Sequence, residues 1–207
     1  MARDARLAVV IRRGPASWAQ LSLWNTESDE FSHGAWFRGR IYEHKCDLSP
    51  DGQLFVYAAF QGRRLESTYT QSWTAVSRPP WLHALVLWPM GTTYGGGGRF
   101  VENRRLVLRG AGRVHPDYSL RGIEVVPGTA EYQRSSEEVE GAEWSGRDQR
   151  NRLVFASSGR VFARRGGRDV ELVDFTALRP DPQPAPEWAT RPLPGPARVT
   201  DRRSARR

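Results

Sequence analysis

Apolar residues in this chain recur in short runs with the two-residue period of β-strands, and each run is bounded by Gly, Pro, Asp, Asn or Ser. The longest runs are residues 54–60 and 82–88, and Ser158-Gly159 predicts a tight hairpin turn between two later ones. The best candidate for a helix is residues 135–143, but Gly141 shortens this segment. The pattern therefore predicts an all-β chain. The other predicted strands lie at residues 7–11, 20–24, 106–108, 123–126, 153–155, 161–163 and 170–173.

A turn followed by an apolar strand recurs along the chain and indicates a repeat architecture. Leu54, Leu106 and Leu153 each begin such a strand and are separated by 52 and then 47 residues. Periods of roughly 40–50 residues are typical of propeller blades, in which four short strands make one repeat. Residues 7–178 have room for four blades, which is the low end for a closed propeller. We therefore expect a small or irregular β-propeller-like arrangement of short antiparallel strands.

Two segments resemble the repeats of known propellers. Residues 47–57, D-L-S-P-D-G-Q-L-F-V-Y, resemble the repeat of TolB-type β-propellers, and residues 21–26, L-S-L-W-N-T, resemble the outer strand of WD-repeat blades. In S-P-D-G, Pro50 presets φ, Asp51 caps the backbone and Gly52 accepts a positive φ, so the chain returns into the next strand. The resemblance implies a structural unit and no particular activity, because propellers host enzymes, receptors and scaffolds.

The C-D-L-S-P-D-G segment that begins at Cys46, together with S-R-P-P-W at residues 77–81, also resembles a family of bacterial proteins with no assigned function. The TolB family is periplasmic, whereas the apolar run at residues 7–11 is too short for a signal peptide and no small-residue cleavage site follows it. No apolar run approaches the roughly 20 residues of a membrane span, and a single cysteine cannot form an internal disulfide. We therefore expect a soluble cytoplasmic protein without a membrane partner.

The C-terminal stretch differs from the rest of the chain in composition. Seven prolines lie within residues 179–198 and favour an extended, polyproline-like segment, so we expect a folded domain at residues 1–178 and a disordered Pro/Arg-rich tail at residues 179–207. Residues 191–207 of this tail carry five of the eight net positive charges and would bind phosphates by counterion release, which makes nucleic-acid binding an alternative function. Codon bias in a GC-rich genome predicts the near absence of lysine without any nucleic-acid partner, and this explanation favours a solubilising tail over nucleic-acid binding. The arginines available to nucleic acid are Arg202, Arg203, Arg206 and Arg207.

Residues with catalytic or ligand-binding potential are sparse. On a strand, His44 and Cys46 would point to the same face, but direct i, i+2 neighbours have poor nucleophile–base geometry. The four histidines match no zinc spacing, and the glutamates of residues 137–143 are typical of a solvated loop. The four glycines at residues 95–98 are not followed by the Lys-Ser/Thr of a Walker loop or by the helix of a dinucleotide-binding loop. We therefore favour a flexible connection between blades over a loop that contacts an anionic or flat ligand. We expect no cofactor and no metal.

Two loops combine aromatic and arginine side chains and form the predicted recognition surface. One joins two predicted strands through Pro79-Pro80, and the other contains the four glycines. Trp and Arg are enriched at interaction hot spots, so the leading hypothesis is a non-enzymatic protein-binding or scaffold module with a protein or peptide partner. The alternative is a hydrolase-type enzyme with a pocket between blades, whose catalytic groups would come from distant loops. The predicted binding residues are Arg78, Trp81, Trp88, Tyr94 and Arg99.

Overall fold

The computed structural model describes residues 1–62, 69–110, 112–131 and 137–195, and these residues form an all-β structure, as the sequence predicts. In this part of the chain, fifteen strands are grouped into four small sheets, A to D, that follow one another in sequence. The described residues contain a single short α-helix, Glu187–Thr190. None of the helices among them is long and apolar enough to cross a membrane.

Sheets A and B contain the first eight strands. Sheet A is a three-stranded antiparallel meander of β1 (Leu7–Arg13), β2 (Trp18–Asn25) and β3 (Glu30–Arg38). In sheet B, β6 pairs with two short strands on one side and with β7 on the other, and β7 pairs in turn with β8. Its strands are β4 (Arg40–Ile41), β5 (Asp47–Leu48), β6 (Phe55–Phe60), β7 (Ser72–Ser77) and β8 (Val86–Pro89).

Sheets C and D contain the remaining seven strands. In sheet C the central strand pairs antiparallel with the strand before it and parallel with a short strand after it. Sheet D is a four-stranded antiparallel meander. Sheet C comprises β9 (Gly98–Glu102), β10 (Arg105–Leu108) and β11 (Glu124–Val125). Sheet D comprises β12 (Trp144–Arg147), β13 (Leu153–Ser157), β14 (Arg160–Arg165) and β15 (Arg168–Asp174).

The hairpin predicted at Ser158-Gly159 is confirmed. Both residues have positive φ, 52° and 77°, and they connect β13 to β14, as a type I′ turn requires. The strand predicted at residues 82–88 is shorter, because regular pairing begins only at Val86. The residues before it form a turn, in which the Trp81 N–H donates to the Arg78 carbonyl at 2.9 Å.

Strand β6 is apolar along its whole length because both of its faces are buried. Phe55 and Tyr57 face one core, which sheet B shares with Leu21 of sheet A. Val56 faces a second core, which sheet B shares with Phe100 of sheet C. A third core joins sheets A and D and includes Ala8, Trp24, Val154 and Ala163. One core thus joins sheet A to sheet B, a second joins sheet B to sheet C, and a third joins sheet D to sheet A.

Part of the proline-rich stretch packs against the domain, which differs from the expectation that the ordered core ends near Leu178. Leu193 is 4% exposed and belongs to the core between sheets B and C, and Ala189 is fully buried. The Arg78 guanidinium donates to the carbonyl oxygens of Ala189 (3.3 Å) and Arg191 (2.5 Å). Prolines fix the backbone but leave intervening side chains free to pack. The arginines predicted to bind nucleic acid, at residues 202–207, lie outside the described residues.

Candidate functional site

The only lysine of the chain holds a loop that presents an exposed tyrosine. Lys45 is 6% exposed, and its ammonium donates to three consecutive carbonyl oxygens, those of Thr93 (2.6 Å), Tyr94 (3.1 Å) and Gly95 (2.9 Å). The ring of Tyr42 lies 5.2 Å from the same nitrogen, which places a cation–π contact on another side of it. We call residues 90–97 the lysine-held loop. An ammonium group has three donors and no acceptor, so this arrangement fits its chemistry fully.

The glycines that end this loop are used for close packing. The Gly97 N–H donates to the Thr74 hydroxyl at 2.7 Å, and the Gly96 N–H donates to the Arg109 carbonyl at 3.0 Å. Gly97 has φ of +80°, and a β-carbon on it would lie 2.1 Å from the Lys45 carbonyl oxygen. The backbone donors of both glycines therefore serve the fold, and the contacts describe a packed connection into β9 instead of an open phosphate-binding loop.

Tyr94 stands out from this fixed loop. Its side chain is 90% exposed, the highest exposure among the large hydrophobic residues of the described chain. Arg99, the next predicted binding residue along the chain, is exposed on β9 just after the loop. The loop backbone on either side of Tyr94 is fixed by Lys45, and the Tyr94 N–H donates to the Thr92 hydroxyl at 3.2 Å. The exposed Tyr94 ring is therefore attached to a backbone that hydrogen bonds already fix, so binding a partner would cost little backbone conformational entropy.

The other three predicted binding residues have different environments. Trp88 is 1% exposed and packs in the core between sheets B and C, so its prediction as a binding residue is wrong. The reason is that β8 places Trp88 opposite Thr74 on the inner face of sheet B. Arg78 is occupied with the carbonyls of the C-terminal segment, and Trp81 is half-buried at the turn after Pro79-Pro80. The five residues do not form one surface; Tyr94 and Arg99 are the two that remain accessible.

A cavity of about 340 Å³ lies where sheets A, B and D meet, and it is lined by His44 and Cys46 among others. Burial raises the pKa of the Cys46 thiol, which donates to the Tyr42 carbonyl at 3.2 Å and therefore stays protonated at neutral pH. Desolvation lowers the pKa of His44. A buried, protonated thiol is a poor nucleophile, so this cavity lacks an activated cysteine. Among the described residues, no group of three or more His, Cys, Asp or Glu side chains could hold a metal ion.

Sequence reasoning missed the role of Lys45. It is one lysine among thirty arginines, and a compact ammonium suits three convergent carbonyls better than a planar guanidinium does. The presence of a single lysine in an arginine-rich chain was the sequence feature that could have indicated this role. The carbonyls it binds come from residues 93–95, however, and their distance of about fifty positions along the chain hides the contact from any local pattern.

Replacing Lys45 with methionine is expected to loosen the lysine-held loop without unfolding the protein. Methionine has a similar length and keeps the apolar contacts of the stem, but it offers no donor to the three carbonyls. We expect amide exchange at Gly96 and Gly97 to become about tenfold faster or more, the equivalent of losing one charged hydrogen bond. Hydrogen exchange read by mass spectrometry measures this, with the β13–β14 hairpin as the internal control. Unchanged exchange at both glycines would contradict the assigned role.

No protein-family model, curated protein or solved structure matches the chain. The resemblance to TolB-type and WD-repeat propellers therefore stays a prediction that depends on the motifs quoted above.

Proposed function

We propose that the chain is a non-enzymatic protein-binding module and that its recognition element is the lysine-held loop, which contains Tyr94, together with Arg99 on the strand that follows the loop. The observation that carries the proposal is the combination at Tyr94 of 90% exposure with a backbone fixed on both sides by the Lys45 ammonium. A lone exposed aromatic on a mobile loop would have no special meaning. A fixed one loses little conformational entropy when a partner covers it.

The residue types at the loop fit protein recognition. Tyrosine and arginine are among the residues that dominate interface energetics, because each combines a large contact area with directional donors. Tyr94 has its hydroxyl and both ring faces available, and Arg99 has a guanidinium that can pair with a carboxylate or carbonyl of a partner. An extended or acidic segment of another protein, lying across the loop and β9, is the partner that this chemistry favours.

The arrangement of the sheets supports a propeller-like scaffold for this loop. Four small sheets follow one another along the chain, and four is the largest number of blades for which residues 7–178 have room. Separate cores join A to B, B to C and A to D, as blades pack side by side. Loops between strands of such blades are a common position for binding sites. The alternative of a hydrolase finds no support at Cys46, whose thiol is protonated, and the carboxylates that line the same cavity are Glu43, Asp47 and Glu143.

Tyr94→Ala is expected to weaken partner binding by about thirtyfold, the effect of losing a hot-spot residue worth about 2 kcal/mol. A photo-crosslinking phenylalanine analogue placed at position 94, and separately at position 144, would trap and identify the partner in cells. The matched control is Trp144→Ala, because Trp144 is also exposed (40%) but lies on sheet D. Calorimetric titration of the identified partner into the three purified proteins then measures the effect.

The proposal requires that position 94 and not position 144 yields a specific crosslink, and that Trp144→Ala binds like the wild type. Equal losses for the two variants, with both folded, would place the interface elsewhere. Arg99→Ala is expected to have a smaller effect than Tyr94→Ala, since an exposed charge at the rim of an interface contributes chiefly to the association rate.

A further inference from the structure

A second cleft, on a different part of the protein, has features of a ligand site. It lies between sheets A and B, where the turn from β1 to β2, the link from β3 to β4 and the end of β6 come together. Its volume is about 540 Å³, within the range of roughly 300–1,000 Å³ typical of small-molecule sites. Ile41, Phe60 and Trp18 line it with apolar surface, and Arg38 and Arg40 line it with charge. We call it the arginine cleft.

The arginine cleft has an excess of positive charge. A third lining arginine, Arg13, is neutralised by Glu43, whose carboxylate lies 2.5 Å from its guanidinium. Arg38 and Arg40 form no ion pair with any carboxylate in the described part of the chain. The Arg40 guanidinium lies 5.1 Å from the Tyr42 ring, a contact that orients it without neutralising it. Two guanidinium groups are therefore available for an anion.

The backbone that bears these two arginines is fixed at each residue. Arg40 pairs with Phe60 across β4 and β6, and the Arg38 carbonyl accepts from the Gln61 side-chain amide at 2.9 Å. Between them, the Gly39 N–H donates to the Ser17 carbonyl at 2.8 Å. A β-carbon on Gly39 would lie 2.5 Å from the Phe60 carbonyl oxygen, so the chain approaches here as closely as glycine permits.

The turn that forms the opposite wall of the cleft is strained. Ala16 and Ser17 both have positive φ, 52° and 65°, which is an unfavourable conformation for residues with a side chain. Two such residues in succession persist only where the surrounding structure fixes them, and they are found preferentially at ligand sites. Here the strained turn supplies the Ser17 carbonyl that holds Gly39, and so it positions the segment bearing the two arginines.

We propose that the arginine cleft binds a small organic phosphate monoester, with its phosphate on Arg38 and Arg40 and its apolar or aromatic body against Trp18 and Phe60. Two guanidinium groups that have no ion pair among the described residues match the charge of a phosphate dianion, and each can donate two hydrogen bonds to it. The apolar lining gives the rest of the ligand a surface that inorganic phosphate cannot use. This site is separate from the lysine-held loop, and the proposal does not depend on partner binding there.

The test is isothermal titration of adenosine monophosphate, inorganic phosphate and a hexaglutamate peptide into the full chain at low ionic strength. The critical variant is Arg38→Ala/Arg40→Ala, and the matched control is Arg113→Ala/Arg168→Ala, which removes two exposed arginines outside the cleft. Both variants change the net charge equally, so non-specific attraction falls equally in both. Thermal unfolding of each variant establishes that it is folded.

We expect adenosine monophosphate to bind the wild type and the control variant with similar affinity, and to bind the cleft variant at least about tenfold more weakly. Inorganic phosphate is expected to bind more weakly than the monophosphate. The proposal is overturned if the control variant loses as much affinity as the cleft variant, or if the wild type binds no monophosphate at millimolar concentration. Tighter, arginine-dependent binding of hexaglutamate would reject the phosphate monoester in favour of an acidic peptide.

Discussion

Replacing Arg152 with alanine is expected to destabilise the protein by about 3–5 kcal/mol, the usual cost of removing one partner from a buried ion pair. The Arg152 guanidinium donates to both carboxylate oxygens of Asp29 at 2.7 Å, to Asp148 at 2.7 Å and to the Thr26 carbonyl at 3.1 Å. The side chains of Arg152, Asp29 and Asp148 are only 10%, 18% and 0% exposed. Without the guanidinium, the buried Asp148 carboxylate would lose its ion pair, whereas Asp29 would keep the hydrogen bond from the Arg165 guanidinium at 2.8 Å.

This network ties two sheets together. Thr26 and Asp29 lie in the turn between β2 and β3 of sheet A, whereas Asp148 and Arg152 lie in the turn between β12 and β13 of sheet D. The effect of the substitution is therefore expected on the packing of sheet D against sheet A as well as on local stability. Near-ultraviolet circular dichroism, which reports on the Trp24 and Phe31 stack in the same core, should change along with the unfolding midpoint.

Urea unfolding of the wild type, Arg152→Ala and Arg164→Ala measures how much each substitution lowers the free energy of unfolding. Arg164→Ala is the control, because Arg164 forms a similar two-point pair with Asp169 at 2.7 and 3.1 Å but on an exposed surface. Surface pairs contribute roughly 0–1 kcal/mol, so the control should be nearly neutral. Similar losses from the two variants would mean that the Arg152 network is no more important than an exposed pair.

Acid unfolding provides a second measurement of the same network. Hydrogen bonds from Arg152 are the main cause that lowers the pKa of Asp29 below its ordinary value of 3.8 in the folded protein. Because the folded state binds this proton more weakly, the contribution to stability is complete above the unfolded pKa and is lost as pH falls through the folded one. We expect the free energy of unfolding to decline below about pH 4, and to decline less steeply in Arg152→Ala.

Gly97→Ala is expected to lower the free energy of unfolding by about 2–5 kcal/mol and to disorganise the lysine-held loop. The methyl group would lie 2.1 Å from the Lys45 carbonyl oxygen and 2.7 Å from the Lys45 β-carbon, so one of the two segments must move. The φ of +80° adds a penalty for any residue with a β-carbon. Movement of Lys45 would also weaken the three hydrogen bonds from its ammonium to the loop.

Gly91→Ala separates the two causes. Gly91 has a similar positive φ of +69°, but a β-carbon there would meet nothing within 4 Å. It should cost only about 1 kcal/mol, the conformational penalty alone. Chemical unfolding of both variants gives the comparison, and hydrogen exchange at Gly96 reports on the loop. If Gly97→Ala were no more costly than Gly91→Ala, the close approach to Lys45 would not be a determinant of the fold.

The turn before β6 shows what local sequence rules can predict. S-P-D-G was expected to cap and reverse the chain, and the structure has the Ser49 hydroxyl accepting the Leu54 N–H at 2.9 Å and Asp51 accepting the Gln53 N–H at 3.0 Å. Gly52 has φ of +73°. All of these contacts lie within five residues, so side-chain chemistry in the sequence is sufficient to specify them.

Exposure of the aromatic residues shows where local rules fail. Trp88 and Tyr94 lie six positions apart and were predicted to share one surface, yet one is 1% exposed and the other 90%. The difference arises because β8 packs its inner face on sheet C, while the following loop turns outward over Lys45. Strand periodicity says that residues alternate between two faces, but it does not say which face another sheet will cover.

The sequence by itself determined the all-β class, most strand positions and the turn chemistry, because alternation and turn preferences act over two to six residues. The tertiary structure alone decided that Lys45 would bind carbonyls of residues 93–95, that Arg152 would clamp Asp29 and that Leu193 would enter a core. These contacts join residues about fifty to more than a hundred positions apart. Their energies depend on burial and on convergent geometry, which exist only once the sheets have packed.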